Sequence, residues 1–65
     1  MRIDKMKVAI EMVKQSLTQG MLAEKSGMSR GNLSTILNGR SCQEVTAIKI
    51  ANGLGVNVTE IIKEA

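Results

Sequence analysis

Two short segments with helical spacing of apolar residues are separated only by Gly27-Met28-Ser29. A chain that stops one helix and starts the next within three residues must reverse sharply, with both helix ends capped locally. Gly27 supplies the left-handed backbone conformation of such a stop, which is cheap only for glycine. Met28 is apolar. Ser29 is placed to accept from the free amides at the start of the next helix. Ala23 lets the two helices approach closely, and Leu33 and Ile36 fasten the second from below.

The rest of the chain has the same helical character. Proline is absent, and polar and β-branched residues nowhere alternate over a strand's length. Apolar residues recur at three and four, which predicts an all-α domain of five helices. The first is expected at Lys5 to Gln15, capped by Asp4. Val8 with Met12 and Ala9 with Val13 form its buried pairs, Met6 and Ile10 widen the apolar arc, and Lys7, Glu11 and Lys14 lie opposite. The second is expected at Gln19 to Ser26 after a Thr18 cap, with Leu22 and Ala23 inward. The third, Arg30 to Leu37, buries Leu33, Ile36 and Leu37 and ends at Asn38-Gly39. The fourth, about Gln43 to Gly53, is expected to bury Ala47, Ile48, Ala51 and Leu54. The fifth opens on Asn57-Val58-Thr59-Glu60, a variant capping box, with Ile61 and Ile62 as its apolar face. Met6, Met12, Met21 and Met28 read as core filler.

Composition narrows the function. The 65 residues make one domain, 1–65, and a domain of this size buries only roughly 60% of its unfolded surface. A single cysteine, Cys42, and no histidine leave no disulfide within the chain and no Cys/His zinc site, so neither metal nor cofactor is expected. No stretch is apolar enough to span a bilayer, and Met1-Arg2-Ile3-Asp4-Lys5 leads into no signal core, so a cytoplasmic location is expected. Nine Lys and Arg against six Asp and Glu give a net charge of +3, which favours a polyanion. Proteins that read single strands and RNA stack bases on aromatic rings, and this sequence has none. Duplex DNA is the polyanion that remains.

The third helix supports that reading. Its outer face is Arg30, Gly31, Asn32, Ser34, Thr35 and Asn38, almost all hydrogen-bonding side chains of short or medium reach with no acid among them. An arginine there can donate a bidentate pair to guanine, and a threonine methyl can meet a thymine methyl.

The run Leu17-Thr18-Gln19-Gly20-Met21-Leu22-Ala23-Glu24-Lys25-Ser26-Gly27-Met28-Ser29 resembles the helix-turn-helix of the phage repressor and Cro family, also called the xenobiotic-response-element type. The likeness continues through Leu33 to Arg40, Ile50 to Asn57 and Glu60-Ile61-Ile62, so nearly the whole chain is covered. The resemblance implies a compact five-helix, lambda-repressor-like DNA-binding domain with a central helix-turn-helix. It implies base contacts from Arg30, Gly31, Asn32 and Thr35. Gln19, Ser29, Asn38 and Arg40 are the expected phosphate contacts. It further implies a homodimer joined near the fifth helix, with Val58, Ile61 and Ile62 as candidates, acting as a repressor on a two-fold operator. Many members pair an arginine in the first helix with a glutamate in the third. Here Met12 and Leu37 stand at those positions and are expected to pack together, avoiding an unpaired buried charge. Cys42 replaces a proline found in many members before the fourth helix.

A different class of role is an interaction module, since such domains also serve as antitoxins or coactivators that dock onto a protein. Catalysis is not expected. The chain has no histidine and no convincing Ser–Lys or paired-carboxylate arrangement, and is too small for a deep pocket. The expected partners are therefore operator DNA and a second copy, with no membrane and no small-molecule substrate.

Overall fold

Four α-helices form where capping residue and apolar spacing agree: α1 (Lys5–Gln15), α2 (Gln19–Ser26), α3 (Arg30–Leu37) and α4 (Glu44–Leu54). They come from a computed structural model that describes residues 1–64. Asp4, Thr18 and Ser29 cap the first three by accepting from backbone amides one turn in. Such a cap stabilises by about 1 kcal/mol. Ser16, Gly27 and Gly55 end α1, α2 and α4 in the left-handed region. The fifth helical element is a single 3-10 turn, Val58–Glu60, held by the expected capping box: Asn57 Oδ1 accepts from the Thr59 amide, and Glu60 Oε2 accepts from that of Asn57. The five-helix, all-α architecture is therefore present, with its last member shortened to one turn. Ile61 turns into the core directly after it, which stops the turn from extending.

The core is built from Val8, Leu22, Ala23, Leu33, Ile36, Leu37, Ala47, Ile50, Ala51, Leu54 and Ile61, together with Ile3 from the N-terminal segment. Ile3 is the member that periodicity does not reveal. It pairs with Ile62 in an isolated antiparallel bridge, flanked by bonds from the Asp4 amide to the Ile61 carbonyl (2.7 Å) and from the Lys63 amide to the Arg2 carbonyl (2.9 Å). The Met1 carbonyl accepts from the Cys42 amide at 2.7 Å, so the first residues tie the two ends of the chain to the loop before α4.

That anchoring sets the phase of α1, where the structure departs from the sequence expectation. With Ile3 and the Asp4 cap fixed, Val8 points into the core and Met12 is half-buried against it. Ala9 and Val13 lie about 100° further round and are exposed, as are Met6 and Ile10. Lys7 and Glu11, expected outside, are half-buried. The Lys7 ammonium donates to the Ile62 carbonyl at 3.4 Å. In α4, Ile48 is exposed and Ile50 takes the buried place. Of the methionines expected inside, Met12 and Met28 pack on the core while Met6 and Met21 are exposed. Met12 packs against the core cluster, of which Leu37 is one member.

α2 and α4 pack closely against each other at Gly53. A Cβ placed on Gly53 would lie 2.6 Å from Ser26 Oγ and 3.1 Å from Leu22 Cδ1. Ser26 Oγ is itself buried without a hydrogen-bond partner. Gly53→Ala is expected to destabilise the domain by about 1–3 kcal/mol through this overlap, despite alanine's better helix propensity. Ser26→Ala removes an unsatisfied hydroxyl and is expected to be neutral or mildly stabilising. Urea unfolding of both variants checks the two signs together.

Candidate nucleic-acid interface

The turn between α2 and α3 is closed by its own backbone. Gly27 at φ +70° lets its amide reach the Glu24 carbonyl (3.1 Å) and the Met28 amide reach that of Ala23 (3.0 Å). Ser29 Oγ accepts from the Asn32 amide at 3.1 Å. Leu33, Ile36 and Leu37 then bury the underside of α3. The opposite side stands in solvent: Arg30, Gly31, Asn32 and Thr35 are all exposed, and Ser34 is half-buried.

Each exposed group is set by local chemistry. The Thr35 hydroxyl donates to the Gly31 carbonyl at 2.9 Å, so the methyl is the part left to meet a ligand. Gly31 has open space where a side chain would stand. The aliphatic stem of Arg30 passes Gly20 at the start of α2, where a Cβ would lie 4.0 Å from Arg30 Cδ. Gln19, the residue before Gly20, is half-buried. Among the described residues, neither Arg30 nor Arg40 is in an ion pair. Their charges are free for a ligand.

Two open grooves adjoin α3. One, of about 420 Å³, runs between α3 and the start of α4 and is lined by Asn32, Ile36, Arg40, Ser41, Cys42, Gln43 and Thr46. Gly39 at φ +112° and the Arg40 amide, bonded to the Thr35 carbonyl at 3.3 Å, place Arg40 at its edge. The other, of about 560 Å³, lies between the C-terminal end of α3 and the N-terminal end of α1, and its lining includes Arg2, Lys5, Asn38, Gly39 and Lys63. Lys5 Nζ donates to Asn38 Oδ1 at 3.0 Å. The bond turns the two amide hydrogens of Asn38 away from Lys5, ready to donate outward. The second groove is also lined by Asp4, Ile3, Met6, Ala9 and Leu37.

The structure thus brings Gln19, Arg30, Gly31, Asn32, Thr35, Asn38 and Arg40 around one helix. Ser29 is exposed at its start, its oxygen spent on the cap and its hydroxyl hydrogen free. The basic residues at the chain ends, Arg2, Lys5 and Lys63, were not anticipated. No local pattern marks them; they meet α3 only because Ile3 and Ile62 bridge the termini. The third set is not brought to the surface as expected. Ile61 is 0% exposed and has no area to give a partner, because it fills the core beneath the bridge; Val58 and Ile62 are half-buried against the same core. Among the described residues no three His, Cys, Asp or Glu side chains gather as a metal-binding group, and no helix is long and apolar enough to cross a membrane.

Comparison with known proteins adds three findings. A helix-turn-helix family model matches residues 8–61. Among solved structures, the chain is 26% identical to PhpD with cadmium complexed with hydroethylphosphonate, at a TM-score of 0.82. Native PhpD with cadmium atoms gives the same values, and a mutant of hydroxyethylphosphonate dioxygenase is 26% identical at a TM-score of 0.84. In each case all of this chain is covered but only 14% of the longer one. No curated protein matches.

Because Ser29 alone starts α3 with a side-chain cap, Ser29→Ala is expected to cost about 1 kcal/mol, with Ser29→Asp retaining most of it. Urea unfolding gives the stability change. Amide exchange in Asn32 and Leu33 should quicken in the alanine variant first.

Proposed function

The chain belongs to the Cro/C1-type helix-turn-helix family, and on that premise we propose that it is a sequence-specific reader of duplex DNA, a Cro-like repressor acting as a dimer on an inverted-repeat operator. The observation that carries the reading is the outer face of α3. It is polar, exposed, free of acids and held rigid by a cap at one end and three buried side chains beneath. In the major groove, Arg30 would donate its fork to guanine O6 and N7, Asn32 would pair with a base or phosphate beside it, and the Thr35 methyl would meet thymine. Gly31 brings the backbone close without adding a side chain, so at that step DNA shape carries the discrimination.

The phosphate contacts follow from position and charge. Gln19 and Ser29 stand at the starts of α2 and α3, where free amides favour anions. Arg40 faces one groove beside α3. Asn38, oriented by Lys5, faces the other with Arg2 and Lys63. Phosphate contacts fix register and base contacts carry sequence. This division suits a face whose one long cation, Arg30, stands at the tip of α3 while the others flank it. The role is non-enzymatic and places the protein in the cytoplasm with its DNA.

A second reading has one observation in its favour. In hydroxyethylphosphonate dioxygenase the matching part is 14% of a longer chain, so the domain also occurs as one part of a larger chain. On that model it would serve as a protein-interaction module. The two readings separate on salt, since neutralising phosphates makes affinity fall steeply as salt rises.

The deciding experiment is selection from a random duplex pool at near-physiological salt. An enriched inverted repeat supports the operator reading; no enriched motif, with weak binding confined to low salt, favours the interaction module. On the selected site, Arg30→Ala is expected to lose about 1–3 kcal/mol of discrimination at one base pair. Arg40→Gln is expected instead to weaken all sequences alike and to lower the slope of log affinity against log salt by about 0.9. Fluorescence anisotropy titrations at four or more salt concentrations distinguish the two effects.

A further inference from the structure

Gly20 in α2, Gly31 in α3 and Gly53 in α4 are helical glycines. None has the positive φ that calls for glycine, and in a helix glycine is less stable than alanine. Gly53 is explained by Ser26 Oγ, which lies 2.6 Å from where its Cβ would stand. At Gly20 a Cβ would meet the Arg30 stem at 4.0 Å. At Gly31, beyond its neighbours in the chain, it would meet nothing within 4 Å, the Thr35 side chain included. No described residue requires glycine at position 31, so the reason for it lies with what approaches α3 from outside.

Thr35 stands one turn further on. Side chains of a helix lean towards its N-terminus, so Thr35 leans over Gly31. Its hydroxyl donates to the Gly31 carbonyl at 2.9 Å, which holds the rotamer. Thr35 is exposed, and its methyl is the part left over. On the other side the Arg30 stem passes along Gly20 towards α2. Between them is a notch with the Gly31 Cα as floor and the Thr35 methyl as wall. It is a small apolar place on a face that is otherwise hydrogen-bonding.

We infer that Gly31 and Thr35 together form a notch for the C5-methyl group of one pyrimidine, which makes the protein sensitive to methylation of the base at that step. The apolar group that a base pair shows in the major groove is the thymine methyl. A cytosine methylated at C5 shows the same group at the same ring position. Thr35 makes the contact. Gly31 touches no base edge with a side chain of its own and is a positioning residue, since the base methyl takes the place a side-chain methyl would fill. Hydrogen-bonding readout fits this place less well, because the Thr35 hydroxyl hydrogen is already donated. The inference rests on the duplex-DNA reading and adds the chemical mark that the outer face of α3 distinguishes.

Fluorescence anisotropy on the operator selected from the random pool tests it. Each thymine is replaced in turn by uracil, which removes the methyl alone. At one thymine in each half-site, uracil should weaken binding about fourfold, the worth of burying one methyl group. With cytosine put at that position, methylating its C5 should strengthen binding by a similar factor. Thr35→Ser keeps the hydroxyl and loses the methyl, and should bind the thymine and uracil sites alike. Thr35→Val retains a methyl and should keep the preference. Gly31→Ala fills the notch. Urea unfolding should show it at least as stable as the unaltered chain, while its preference for thymine over uracil disappears or reverses. A glycine with a merely structural role would not move that ratio. Arg40→Gln should weaken both sites equally and leave the ratio as it is. Sequence-selective binding that tolerates uracil at every thymine overturns the inference and leaves the operator reading standing. So does a Gly31→Ala chain that keeps the full preference. Absence of any sequence selectivity overturns both.

Discussion

The rest of the structure depends on the close approach of α2 to α4 at Gly53. Without a side chain there, α4 settles onto Ser26 and Leu22, and the two helices share the core that Leu22, Ala23, Ile50, Ala51 and Leu54 fill. α3 has little of its own to stand on: eight residues, one side-chain cap and three buried side chains. An isolated helix of that length is not stable in water. It persists because α2 is already fixed beneath it and Gly27 carries the chain from one to the other in a set geometry. The presentation of Arg30, Asn32 and Thr35 is therefore a consequence of a contact on the far side of α2. A bulkier residue at position 53 would reach the outer face of α3 through the packing, without touching it.

Ser26 shows what this contact costs. A buried hydroxyl with no partner gives up its hydration for nothing in return, a penalty of order 1 kcal/mol or more. The residue is small enough to admit α4, and alanine would be equally small. No structural feature among the described residues explains why serine is present there instead.

Much of this was legible in the sequence, and the reasons are local. The spans of α1, α2 and α3 follow from Asp4, Thr18 and Ser29 as caps and, for the second and third, from Gly27 and Asn38-Gly39 as stops, signals that operate within one turn. The outer face of α3 was legible because its core residues, Leu33, Ile36 and Leu37, sit at unambiguous spacing. What failed was non-local. In α1, Met6, Val8, Ala9, Ile10, Met12 and Val13 leave no side of the helix clearly polar, so spacing alone does not choose a face. The choice is made by Ile3, whose partner Ile62 is nearly the whole chain away. The same bridge determines that Ile61 is core and that Arg2 and Lys63 join Lys5 beside Asn38. Residues close in space through the termini leave no periodic trace.

The misread helix also explains why the domain has an apolar surface at all. A chain of 65 residues has a thin interior, and its core holds twelve apolar side chains in the described structure. Once Val8 and Met12 take the inner side of α1, no room remains for Met6, Ile10 and Val13. Were they scattered, they would be unremarked surface. They are aligned because a helix whose buried positions recur at i and i+4 necessarily aligns its opposite positions as well. Solubility alone would favour lysine or glutamate there, as on the flanks of the same helix.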